Sequence, residues 1–144
     1  TKKKKAGIRL VREELFKIVF GVEATESTSE ELERAFDIYL SNNEDFILTL
    51  NESQLKFLKT SVKGISENYD NIKETIKANT QNWAYERIGL VERALLIIAT
   101  YEFLKANTPI EVVANETVEL AKEYGNEKSY EFVNGILANI GKTK

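Results

Sequence analysis

The 144-residue chain has neither cysteine nor histidine. This excludes disulfide frameworks, thiolate and imidazole metal sites, thiol nucleophiles and histidine-dependent hydrolysis or phosphotransfer. A chain of this length buries roughly 70% of the surface its unfolded form exposes, so its core needs no covalent or metal staple. The net charge of −3 hides a division: residues 1–17 carry seven basic side chains against two acidic ones, and the remainder is acidic by eight charges.

Charge segregated in this way points to an interaction arm at the N-terminus. No apolar run approaches the ~18 residues of a membrane span. The basic start is not followed by the apolar stretch of a secretory signal. The expectation is a cytoplasmic protein without membrane contact, and a chain that starts at Thr1 reads as trimmed of its initiator methionine.

A single proline, scattered glycines and the near absence of strand-like alternation predict helices throughout. In the first, Ile8, Val11, Leu15, Val19 and Val22 recur at spacings of three and four and face a core. Lys5, Arg9 and Arg12 stand at i, i+4 and i+7 and share a second face, which Lys2, Lys3 and Lys4 prolong as a flexible basic arm over residues 1–6. Such a ridge tracks a phosphate backbone by releasing counterions. The plainer alternative is a solvated helix end with a solubilising tail.

Thr28 and Glu31 predict a capping box for a second helix, whose stripe is Leu32, Phe36, Tyr39 and Leu40. Leu55, Leu58, Val62, Ile65, Tyr69, Ile72 and Ile76 then alternate by three and four behind a candidate cap at Asn51. That spacing favours shallow-angle bundle packing. Gly64, Ser66 and Asn68 mark where this stretch bends or divides. Asn79 to Asn82 is a turn signal, and Trp83 is expected to anchor a short helix after it.

From Leu90 to Leu104 nearly every face is apolar, which predicts a central helix with neighbours around it. Thr108, Pro109 and Glu111 predict the next start, with Thr108 as cap and Pro109 in the first helical position. That helix buries Val113, Thr117, Leu120, Ala121 and Tyr124, and Gly125 is expected to close it in the left-handed conformation. The last helix begins at Asn126 and buries Val133, Ile136, Leu137 and Ile140. Phe132 points about 100° away from Val133, beside the stripe. It is either the rim of the core or a stacking platform for an unpaired base, with Lys128 one turn earlier to meet a phosphate.

The acidic pairs Glu13/Glu14, Glu30/Glu31 and Glu116/Glu119 read as solvated faces and caps. Carboxylate metal sites in helical bundles generally add a histidine, and no glycine-rich phosphate loop is present. No catalytic residue, cofactor or metal is therefore expected. The chain reads as a non-enzymatic binder of single-stranded RNA, whose unstacked bases can reach aromatic rings.

The string from Asn115 to Gly125, followed by Ser129 and Phe132-Val133-Asn134-Gly135-Ile136-Leu137, closely resembles the C-terminal signature of the NusB family. Trp83, Arg87-Ile88, Val91-Glu92-Arg93, Leu95-Leu96, Ala99 and Tyr101-Glu102 resemble its central-helix motif, and Arg9, Arg12-Glu13 and Phe20 its arginine-rich opening. The resemblance implies an all-α fold of about seven helices in two packed three-helix bundles, with residues 1–144 forming one RNA-binding domain. It implies transcription antitermination: binding the boxA element of nascent ribosomal RNA transcripts together with the ribosomal protein NusE, and so acting indirectly on the RNA polymerase elongation complex.

The resemblance implies boxA contacts at Arg9, Arg12, Lys128 and Phe132, with Lys4 and Lys5 adjoining them. It likewise implies a partner surface that includes Glu86 and Glu92. Three positions depart from the pattern: Ile8 and Ile97 stand where arginine is usual, and Lys128 where some relatives have an acid. A different class of reading is the RNA-recognition domain of an RNA methyltransferase, or a helical protein-interaction module.

Overall fold

The computed structural model describes residues 5–81 and 83–143, so Lys4, with the rest of the arm before it, lies outside the described residues. Among these, eight α-helices follow one another: α1 (Gly7–Glu23), α2 (Ser29–Asn42), α3 (Glu44–Leu48), α4 (Glu52–Glu67), α5 (Tyr69–Ala78), α6 (Leu90–Leu104), α7 (Ile110–Tyr124) and α8 (Glu127–Gly141). A single 3-10 turn at Tyr85–Arg87 precedes α6. None of these helices is long and apolar enough to cross a membrane.

The packing falls into two triads. Helices α1, α2 and α4 touch one another, as do α6, α7 and α8, and α1 lies against α6 to join them. The two three-helix bundles are thus both present, with α5 bridging from α4 to α6. The reason lies in α6, where Ala94 to Phe103 are all buried. A helix apolar on every side has no face to offer solvent, so it is stable only when surrounded. Leu95, Leu96 and Ile97 are fully enclosed, and truncating any one to alanine would cost about 2–5 kcal/mol.

Ile97 explains one departure from the family pattern. It is 0% exposed on the enclosed helix α6, where an aliphatic side chain avoids the cost of burying a charge.

Helix boundaries follow local chemistry, with instructive differences. Thr28 accepts from the Glu31 N–H at 3.1 Å, but the Glu31 carboxylate turns outward to Arg34 instead of completing the box. Asn51 and Gln54 do form a reciprocal box at 2.8 and 2.9 Å. The long stripe after it divides at Asn68, whose amide donates back to the Gly64 carbonyl at 2.8 Å and ends α4. Gly64 itself is required by packing, because a Cβ there would sit 2.3 Å from the Tyr101 ring.

Three expectations need correction. Helix α7 starts one residue later than read, with Pro109 as N-cap and no side-chain cap from Thr108. Gly125 is extended (φ −116°), not left-handed. Its lack of a side chain matters because a Cβ would lie 2.8 Å from Ser129 Cβ and 3.0 Å from the Ala121 carbonyl. Finally, Trp83 does not anchor the turn before α6. Tyr85 and Ile88 are the buried anchors, and Trp83 is 52% exposed.

Candidate nucleic-acid interface

The basic face of α1 runs along α7, and α7 is acidic where they meet. The Lys5 ammonium donates to both Glu13 and Glu123. Burial pulls its pKa down, but the hydrogen bonds and charges of these two carboxylates outweigh burial and leave it raised. Arg9 binds Glu116 with both arms of its fork, at 2.9 and 3.0 Å, while remaining exposed. The Arg9 hydrogen bond, with help from the charges of Arg12 and Arg9 and against a burial penalty, holds the Glu116 carboxyl below the usual carboxylate range.

Arg12 occupies a different environment from Arg9, although the sequence puts the two on one ridge. It is 8% exposed, and its guanidinium makes a two-pronged pair with buried Glu102 of α6 at 2.8 Å for each bond. A third contact reaches Glu116 at 3.4 Å, and the Phe57 ring lies 5.4 Å away under the guanidinium. Its geometry is that of a clamp between α1, α6 and α7.

Lys128 and Phe132 lie together on the first turns of α8. The start of this helix is fixed by Asn126, which accepts from the Ser129 N–H at 3.0 Å while Ser129 Oγ accepts from the Asn126 N–H at 3.3 Å. Ser129 Oγ also donates to Glu92 at 2.9 Å, which keys α8 to the first turn of α6. Phe132 is half-buried: one side packs on the core, and the other lines a cleft of about 380 Å³ with Trp83, Arg87, Glu92 and Lys128. Trp83 meets Phe132 edge-on, with ring centroids 5.6 Å apart and planes at 68°. Lys128 and Arg87 are exposed at the rim.

This cleft and the α1 ridge adjoin through the α7–α8 junction. Lys5 holds Glu123, and Asn126, three residues on, lines the cleft, a separation of at most ~11 Å along the backbone. Glu86 stands exposed on the 3-10 turn, whereas Glu92 is half-buried and committed to Ser129.

Reading the residues singly misses two features here. Trp83 and Arg87 belong to the cleft, but they are 49 and 45 positions from Phe132, and no local periodicity links them. A buried polar knot is the second. Glu23 accepts from the hydroxyls of Tyr69, Tyr85 (2.7 Å) and Ser27 (2.6 Å), and Arg93 approaches it at 3.8 Å. Burial, then the hydrogen bond to Glu23, pushes both phenols well above their ordinary pKa. This knot ties α1 to α5 and α6.

With this geometry in place, comparisons with known proteins give a single answer. The NusB family model matches residues 9–142. The transcription antitermination protein NusB of Fusobacterium nucleatum subsp. nucleatum is 76% identical over 143 residues, covering 99% of this chain and 94% of that protein. A crystal form of T. maritima NusB superposes with a TM-score of 0.78 at 33% identity, covering 96% of this chain and 93% of that one. A crystal structure of antitermination factors NusB and NusE in complex with dsRNA has the same fold, with a TM-score of 0.78 at 21% identity over 94% of this chain and 96% of that one.

Proposed function

This chain belongs to the NusB family, and from that membership we propose that it acts in the cytoplasm as a transcription antitermination factor. It works by binding, not catalysis. Its ligand is boxA-type single-stranded RNA in nascent ribosomal RNA transcripts, taken up together with the ribosomal protein NusE, and it reaches the RNA polymerase elongation complex only through that assembly. Residues 1–144 act as one domain, and residues 1–6 serve as its basic arm.

The observation that carries this reading is the half-open face of Phe132 beside Lys128 at the mouth of a cleft. A ring backed by the core on one side stays rigid and offers the other to a base, worth about 1–3 kcal/mol. The adjacent ammonium supplies the phosphate contact. Lys5 and Arg9 extend the contact along α1 where phosphate displaces the carboxylates of Glu13, Glu123 and Glu116 that hold them, and Lys4 precedes them in the sequence. Arg12 belongs to the same site as the residue that holds α1 in place beneath Arg9.

The body of the protein is acidic, so affinity for RNA alone is low and a basic ribosomal partner raises it. Glu86, exposed beside the cleft, meets that partner, and Glu92 shapes the same edge. Electrophoretic mobility of a boxA-like RNA tests the whole reading: a weak shift with this protein alone, strengthened by the ribosomal partner. No shift under either condition would remove RNA binding from the account.

A further inference from the structure

We propose that Trp83 is a second base-stacking surface, which takes an unpaired nucleobase next to the one on Phe132. This inference rests on the RNA-binding reading above and assigns a subsite within it.

Trp83 is the single tryptophan of the chain and is 52% exposed, although sequence position beside a turn leads one to expect an anchor. An indole left half in water forfeits burial energy that a smaller polar residue would not risk there. Its edge-on contact with Phe132 sets the two rings at 68°, so they form the corner of a surface and not a closed stack. Each keeps a face open.

The corner separates two clefts of different chemistry. On one side, in about 380 Å³, the exposed rim is cationic, with Arg87 and Lys128, and the Glu92 carboxylate that also lines it is half-buried and accepts from Ser129. On the other, in about 400 Å³, Trp83 and Phe132 face Asn79, Gln81, Asn139 and Glu131. Amides carry both donors and acceptors and suit the hydrogen-bonding edge of a base. Glu131 repels phosphate from that second cleft, so the sugar–phosphate backbone belongs on the Arg87 and Lys128 side and the base edge on the amide side. Both volumes sit at the small end of the ~300–1,000 Å³ typical of ligand clefts, room for one splayed base.

The single tryptophan makes the test direct. Binding of a single-stranded boxA-like RNA to the full chain with its ribosomal partner is followed by gel mobility and by Trp83 fluorescence, with a partner lacking tryptophan. The expected result is quenching that saturates with the mobility shift. Trp83→Leu should weaken binding about tenfold and Trp83→Phe, which keeps a ring, by less than about threefold. RNA that binds the wild-type protein without changing its fluorescence overturns the subsite and leaves the RNA-binding reading standing. A fluorescence change on adding the partner alone, with none on adding RNA, gives Trp83 to a protein contact and also overturns it. An absent mobility shift in the wild-type protein defeats the underlying reading instead. The wild-type fluorescence decides the matter even if Trp83→Leu folds poorly.

Discussion

The α1 ridge and the Trp83–Phe132 cleft are both rich in cations and aromatic rings, yet they use them in opposite ways. On the ridge every described cation is matched: Lys5 by Glu13 and Glu123, Arg9 by Glu116, Arg12 by Glu102. At the cleft Lys128 and Arg87 stand exposed beside half-open rings. Charge placed against charge within the fold fixes helices in position. Charge left at a rim is available to a ligand. A count of lysines and arginines along the sequence cannot tell the two apart.

The strongest way to break this comparison is at Arg12. Arg12→Ala leaves the Glu102 carboxylate buried without its partner and should cost about 3–5 kcal/mol in urea or thermal unfolding. Replacing both with methionine should restore most of that stability, because an apolar pair carries no desolvation penalty. If Arg12→Ala unfolds like the wild type and loses RNA affinity alone, the clamp is misassigned.

Phe132→Ala should separate support from recognition. Full truncation of a buried phenylalanine costs 3–5 kcal/mol, so a half-buried one should cost about 2 kcal/mol, edge contact with Trp83 included. RNA affinity should fall by a further, separable 1–3 kcal/mol. Comparing Tm with RNA affinity for this one variant distinguishes a rim of the core from a platform.

Glu116 sharpens the comparison through pH. Its carboxyl is depressed by Arg9, so the folded protein binds fewer protons than the unfolded chain. The stabilisation is therefore complete above the unfolded carboxylate value of about 4.3 and is lost as pH falls through the lower folded value. Glu116→Gln should lower Tm near neutral pH and show little difference from the wild type once the wild-type carboxyl is protonated. The same variant releases Arg9, and RNA affinity should rise if Arg9 must leave Glu116 to grip a phosphate.

The smallest expected effect is at Lys128. Lys128→Ala should leave stability within about 0.5 kcal/mol and reduce the salt dependence of RNA binding by about 0.7 in the log–log slope, one single-strand phosphate contact. An unchanged slope would take Lys128 out of the contact set.

The helices were legible in the sequence because their signals are local. Apolar spacing of three and four needs only the neighbours on one turn, and Asn51, Asn68 and Asn126 act on backbone groups within four residues. Where those rules failed, packing that apolar spacing does not encode had intervened. Gly125 is small because Ser129 and Ala121 crowd it, and the buried aromatic of the segment before α6 is Tyr85, which bonds Glu23 of α1, while Trp83 stays exposed. The short α3 went unread because a five-residue helix without buried side chains has no stripe to detect.

The sequence by itself determined an all-helical chain, a central apolar helix, the absence of cysteine and histidine chemistry, and the pairing of Lys128 with Phe132 one turn apart. Only the tertiary structure decided which cations are spent on internal carboxylates and which stay at a rim, and that Trp83 and Phe132 form one corner. The physical reason is range. A helical repeat is fixed within a few residues, whereas the partner of Arg12 lies 90 positions away and becomes its neighbour only when α6 is enclosed.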